Sequence, residues 1–249
     1  LIGENGAGKS TLIKIISGIY QPTSGSLVLN GTEVAVRDSL TAKRLGIATV
    51  PQEFNLVETM RVYENIFLGT EPRKAIGLLD KALMRERSRE LLDRLKTDIS
   101  VDAPISTLSV AEKQMVEVAK ALSHEAQILI FDEPTTTLTQ NEISVLFDLM
   151  RQLQQDGVTM IFVSHKLREV KTICDRVAVL RDGNLMSVDP IEDIDEAQMA
   201  QRMVGRELLA LGREAAHTIG DKPVLEVKGL AVRGLLKDIN LSLMKGEIL

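Results

Sequence analysis

At 249 residues with 44% hydrophobic content, the chain can bury one large core or two small ones. Thirty Lys and Arg against 35 Asp and Glu leave a net charge of −5, and aromatic residues make up only 3%, so neither a nucleic-acid-binding surface nor a base-stacking platform is expected. No apolar stretch approaches the ~18 residues of a membrane span, the first residues do not form a signal peptide, and the single cysteine, Cys174, excludes an internal disulfide and fits a reducing compartment.

The first element is a loop, Gly3-Glu4-Asn5-Gly6-Ala7-Gly8-Lys9-Ser10-Thr11, which fits the spacing G-x-x-x-x-G-K-[ST] without a gap. Glycines at Gly3, Gly6 and Gly8 let several backbone N–H groups converge on phosphate oxygens with no Cβ in the way. Lys9 supplies an ammonium for the β- and γ-phosphates and Ser10 a hydroxyl for Mg²⁺, while a helix opening near Lys9 directs its positive end at the anion. A nucleoside triphosphate is the expected ligand. Such a loop follows a buried strand, yet only Leu1 and Ile2 precede it and there is no initiator methionine, so the sequence reads as cut from a longer one.

Leu12, Ile13, Ile15 and Ile16 predict a short apolar helix closed by Gly18. Ser26 to Leu29 predict a strand with its turn at Asn30-Gly31, and Ile47-Ala48-Thr49-Val50 a second strand ending at Pro51. From Val62 to Leu95 the pattern is helical, broken at Pro72 and Gly77 before a charged helix that starts near Lys81. Within it, Arg85 to Glu90 read as a solvated face with i, i+4 pairs. Ser109 and Glu112 form a capping box ahead of a helix with Met115, Val118, Ala119 and Leu122 on one face.

Ile128 to Asp132 is a continuous apolar run ending in acid, followed by a helix carrying Ile143, Leu146, Phe147, Met150 and Leu153 and then a strand from Val158 to Val163. Strand, helix and strand of these lengths predict a right-handed βαβ unit in a parallel sheet, with ligands at the C-terminal strand ends where Asp132 and His165 fall. Arg176 to Leu180 and Leu185 to Val188, joined by Arg181-Asp182-Gly183-Asn184, predict a hairpin, and a polar helix follows near Glu196 to Val204. Gly212 to Lys222 has linker character. Strands at Val224 to Val227 and Ile239 to Leu243 then lead to Gly246-Glu247-Ile248-Leu249. Cys174 reads as a packed helix residue rather than a nucleophile, and His124 and His217 as surface or linker residues.

Taken in order, the glycine loop, Gln52, Leu108-Ser109-Val110-Ala111-Glu112, Asp132-Glu133 and His165 resemble the ATP-binding cassette (ABC) family over nearly the whole chain. The resemblance implies an α/β P-loop NTPase fold. A first ABC ATPase domain with a helical insertion would span residues 1–206, a linker 207–222, and the first strands of a second ABC domain 223–249. It also implies ATP held by Gly3, Glu4, Asn5, Gly6, Ala7, Gly8, Lys9, Ser10 and Thr11. Asp132, Ser10 and Gln52 would hold Mg²⁺, Glu133 polarise the attacking water, His165 contact the γ-phosphate, and Ser109 reach the ATP of an opposite cassette. Gln52 would also face a transmembrane partner, with Phe54 to Gly69 near the groove that receives it.

Val110, Ala111 and Glu112 depart from the Gly, Gly and Gln usual in the family, and Thr139 stands where an aspartate is common, making a second T-x-x-E cap with Glu142. Together with Glu133 to Thr139, Ser164-His165-Lys166-Leu167 and Val204-Gly205-Arg206-Glu207, these departures resemble the tandem ATPases of bacterial monosaccharide importers. That narrower resemblance implies two transmembrane permease subunits and an extracytoplasmic sugar-binding protein as partners. It further implies a second cassette or second copy to complete the ATP sandwich, no nucleic acid, and a peripheral place on the cytoplasmic face of the bacterial inner membrane. The competing reading is a soluble tandem-cassette ATPase acting on ribosomes or nucleic acid, against which the near-neutral charge weighs.

Overall fold

The computed structural model describes residues 1–75, 77–205, 222–232 and 236–245, and the packing of the chain separates two units, Leu1–Gly205 and Arg206–Leu249. In the first, α1 (Lys9–Ile16) leads to a hairpin of β1 (Leu27–Leu29) and β2 (Thr32–Val34), then to α2 (Ser39–Arg44) and β3 (Ile47–Val50). Three helices follow, α3 (Val62–Ile66), α4 (Lys81–Arg94) and α5 (Val110–Leu122). β4 (Ile128–Asp132), α6 (Gln140–Gln155), β5 (Thr159–Val163) and α7 (Leu167–Ile173) come next. A hairpin of β6 (Arg176–Arg181) and β7 (Asn184–Pro190) and the helix α8 (Glu196–Val204) complete the unit. In the second unit, β8 (Pro223–Val232) and β9 (Leu236–Met244) pair as one antiparallel hairpin. Of the expected linker 207–222, with His217, and of the closing Gly246 to Leu249, only Lys222 lies among the described residues.

β3, β4 and β5 pair in parallel in that order, with Val50 opposite Phe131 and Phe131 opposite Phe162. Leu1 and Ile2 extend this sheet past β5. The backbone nitrogen of Leu1 donates to the Phe162 carbonyl at 2.7 Å, Ile2 N–H donates to Ala178 O at 2.9 Å, and Leu180 N–H donates to Ile2 O at 2.8 Å. The two residues ahead of the glycine loop are thus held between β5 and β6.

Alternation sends successive side chains of each strand into two cores. Leu129, Phe131 and Phe162 join a large cluster with α5 and α6, whereas Ile130, Val163 and Ile47 join a smaller one with Ile13 of α1 and Ala42 of α2. Both faces of the sheet are covered, which is why β4 reads as an unbroken apolar run. The helix α6 buries Ile143, Leu146, Phe147, Met150 and Leu153, and the Phe147 ring meets Phe162 edge-on with centroids 6.0 Å apart.

One local expectation gives way in part. The charged run in α4 keeps Glu86, Arg87 and Glu90 exposed, but the bonds of Arg85 and Arg89 reach other segments in place of i, i+4 partners. Arg85 lies along the surface with its guanidinium 4.3 Å from the Tyr63 ring centroid and 2.8 Å from Asp102, Arg89 donates to Ile99 O at 3.2 Å, and Ser88 is fully buried. The short helix α2 escaped the periodicity reading because six residues carry too little pattern; its one local signal is Asp38, which caps it by accepting from Thr41 N–H at 2.7 Å.

Within β3 the Thr49 hydroxyl is buried with no hydrogen-bond partner. Thr49→Val keeps the shape and removes the orphaned group, so a stability gain of about 1 kcal/mol is expected as a higher urea midpoint.

Candidate functional site

The glycine loop is shaped first by the protein around it. A Cβ on Gly3 would lie 2.5 Å from the Leu180 carbonyl oxygen and 2.9 Å from Ala7 Cβ, so the residue must be glycine because β6 passes against it. Gly6 and Gly8 sit at φ +85° and +101°, a region that disfavours any side chain. Ala7 N–H donates to Glu4 O at 3.1 Å, and from the tip of the β6–β7 hairpin Gly183 N–H donates to Ala7 O at 3.1 Å. That tip, Asp182-Gly183 at φ 50° and 77°, buttresses the loop, a role that its turn signature alone did not disclose.

Lys9 is 6% exposed and lies across the loop, its ammonium donating to Gly3 O at 2.8 Å and Glu4 O at 3.1 Å. These bonds hold the charge over the N-terminus of α1, a helix without a side-chain cap, whereas α5, α6 and α8 each carry one. An uncapped N-terminus with a fixed cation beside it is an anion site. Glu4, Asn5, Gly6, Ser10 and Thr11 are exposed along it.

Asp132 closes β4 and Glu133 follows it at φ 48°, a left-handed conformation costing about 1 kcal/mol for a residue with a Cβ. It is fixed by Glu133 N–H donating to Val163 O at 3.0 Å and by the Thr136 hydroxyl donating to Glu133 O at 3.0 Å. The turn brings Glu133 Oε2 to 3.2 Å from Nδ1 of His165, just past β5. A second bridge joins the same two loops. The buried Thr135 hydroxyl donates to Glu169 Oε2 at 2.6 Å, while the Lys166 ammonium reaches Thr135 O at 3.0 Å and Glu169 Oε1 at 3.1 Å. Lys166 and Glu169, one turn apart, were the only sequence trace of this clasp.

His165 shares a cleft of ≈430 Å³ with Gly3, Glu4, Asn5 and Met203. Met203, on α8, carries no signal that sequence reading could use. A larger groove of ≈690 Å³, lined by Leu12, Ile16, Met150 and Phe162 among others, includes none of the expected site residues. Gln52 is exposed two residues past the end of β3, at the same sheet edge as Glu133 and His165. Ser109 lies outside the lining of that cleft and caps α5, its hydroxyl donating to Glu112 Oε2 at 2.8 Å and accepting from Glu112 N–H at 3.3 Å. Thr139 and Glu142 repeat the arrangement at α6. Cys174 ends α7, partly buried, and burial pushes its thiol pKa up, away from nucleophilic use. His124, expected at the surface, is half-buried.

Burial first, then the neighbouring Glu133 carboxylate, push the pKa of Asp132 up, against a smaller pull from Lys9 and Lys14. Such a carboxylate suits a cation. Ser10, Gln52 and Asp132 offer hard oxygen donors of the kind Mg²⁺ prefers. No group of three or more His, Cys, Asp or Glu lies together among the described residues.

A glycine loop on a helix N-terminus, beside carboxylates at parallel strand ends, defines a P-loop nucleotide-binding domain. Residues 1–136 match the profile of the family described as "ABC transporter", and the chain belongs to that family. It is 46% identical over 248 residues to the "Ribose import ATP-binding protein RbsA" of Corynebacterium glutamicum, spanning 100% of this chain and 47% of that protein. It is 45% identical over 247 residues to a "Putative ribose/galactose/methyl galactoside import ATP-binding protein 1" of Agrobacterium fabrum, spanning 99% and 49%. The chain therefore spans about half the length of the curated relatives it matches. Among solved structures, cbiO1 of Clostridium perfringens superposes with TM-score 0.68 at 28% identity, over 83% of this chain and 82% of that one. An ATP-binding cassette of an ABC transporter in its ADP conformation superposes at 0.71 with 22% identity over 82% and 86%, a likeness of fold.

Because its folded pKa is raised, Asp132 lowers stability as pH climbs from the ordinary aspartate range through the raised value. Without magnesium, Asp132→Asn should therefore melt higher at pH 7 and lose that slope. With magnesium and ATP, the unsubstituted chain should gain a thermal shift that the variant lacks.

Proposed function

We propose that this chain carries the ATP-binding and ATP-hydrolysing machinery of a bacterial monosaccharide importer. The observation that carries the reading is the 3.2 Å pair of Glu133 and His165 beside the glycine loop. In this assignment the loop from Gly3 to Thr11 binds the triphosphate through backbone N–H groups, and Lys9 neutralises the β- and γ-phosphates. Magnesium, held by Ser10, Asp132 and Gln52, would supply charge neutralisation at the phosphates when bound. Glu133 commits one carboxylate oxygen to His165 and keeps the other for the water that attacks. As an imidazolium, His165 would donate Nδ1–H to Glu133 and Nε2–H to a γ-phosphate oxygen in the cleft.

Sugar import is supported by the printed names of the relatives, which are ribose or ribose/galactose/methyl galactoside import ATP-binding proteins. No helix among the described residues is long and apolar enough to cross a membrane, so the translocation path belongs to other chains in this reading. Two permease subunits, an extracytoplasmic sugar-binding protein and a second cassette or second copy complete the assembly. Ser109 would meet the ATP bound across that interface, and Phe54 to Gly69 the permease at the cytoplasmic membrane face. The domain division is 1–206 for the first cassette, 207–222 for the linker and 223–249 for the opening strands of a second.

In the intact protein, Glu133→Gln should lower ATP turnover at least about 100-fold while ATP affinity stays within about threefold. Lys9→Ala should abolish ATP binding. Unchanged turnover in the glutamine variant would overturn the assigned role. Co-purification with a polytopic membrane protein and ATP-dependent uptake of ribose or galactose into vesicles test the importer, and salt-sensitive co-sedimentation with ribosomes in place of both would overturn it.

A further inference from the structure

Residues 53–58 leave β3 just after Gln52 and form no strand, yet side chains hold their backbone as a neighbouring strand would. Asn55 N–H donates to Glu117 Oε1 at 2.5 Å, and Asn55 O accepts from the Lys120 ammonium at 2.7 Å. Two residues on, Val57 N–H donates to Asn65 Oδ1 at 2.7 Å and Val57 O accepts from Asn65 Nδ2 at 3.2 Å. Alternate residues are gripped through both backbone groups, the spacing of a β-ladder. Glu58 adds an ion pair with Lys113 at 2.8 Å.

The side chains that grip Asn55 and Glu58 all belong to α5. Glu117 and Lys120 are one turn apart on it, and Glu117 is 3% exposed between Val116 and Val118, both fully buried. Burial pushes the Glu117 pKa up. A carboxylate there is unfavourable for packing alone, and the bond to Asn55 N–H accounts for it. The same helix is capped by Ser109, and the first gripped residue, Asn55, lies three residues past Gln52.

We propose that Glu117 and Lys120 are positioning residues that anchor the segment just after Gln52 to α5, the helix that Ser109 caps, and so restrict where Gln52 can stand. The anchor at Asn55 fixes the far side of the Gln52 loop, while β3 fixes the near side at Val50. The inference rests on the ATPase reading for the roles of Gln52 and Ser109, while the lock itself rests only on the bonds above.

Hydrogen exchange and steady-state turnover of the intact protein test it together. Glu117→Ala should speed exchange of the Asn55 amide about tenfold while leaving Val57, held by Asn65, unchanged. It should lower kcat about tenfold with KM for ATP within about twofold. Glu117→Gln retains an acceptor for the amide and should keep most of both properties. If Glu117→Ala does not fold, Lys120→Met, which removes only the donor to Asn55 O, should lower kcat in the same way without changing KM. Unchanged exchange at Asn55, or a freed amide with unchanged kcat, would overturn the proposal. Absence of turnover in the unsubstituted protein would overturn the ATPase reading instead, and the exchange rates would still decide whether Glu117 holds the loop.

Discussion

A parallel sheet with both faces buried leaves only its edges for polar chemistry, and that constraint orders this protein. Leu129 and Phe131 look one way and Ile130 the other, each into a dry core. A polar side chain anywhere along β4 would need a partner that neither core supplies. The first place where it can stand is the strand end, so Asp132, Gln52, His165 and the glycine loop are all displaced to one rim. Parallel register then brings together residues far apart in sequence, since Val50, Phe131 and Phe162 stand side by side. The site is a by-product of the core's intolerance.

At that rim, local strain and tertiary bonds offset one another. Glu133 is held left-handed by a backbone bond to Val163 and by the Thr136 hydroxyl, and in that conformation its carboxylate meets His165. The Thr135, Lys166 and Glu169 clasp ties the same two loops a short way behind the pair. Ser109 shows a different tension. Glu112, in the first turn of α5, suits the helix dipole and bonds the serine on both sides. The same carboxylate repels any phosphate brought to that N-terminus, so anion binding there is weaker than with a neutral glutamine.

Much of this was legible in the sequence, for identifiable reasons. The glycine loop has a spacing set by backbone geometry, β4 and β5 have lengths and apolar content that only a covered parallel strand needs, and the caps at Ser109 and Thr139 announce themselves within four residues. The missing parts depend on contacts that no window contains. Gly3 was read as making room for a ligand, but the nearest obstacle to a Cβ is the Leu180 carbonyl. The partners of Arg85, Tyr63 and Asp102, are distant from it in sequence, and Met203 and the hairpin tip at Gly183 join the site only once the chain has folded back.

That return of the chain has a consequence for assembly on the ribosome. The surfaces that set the glycine loop, Leu180 and Gly183, are made about 180 residues after it. A loop closed over so long a separation cannot take its final shape while the nascent chain is still short. Phosphate binding therefore arises only after β6 and β7 have emerged, and the glycine loop waits without its mould while the residues between are made.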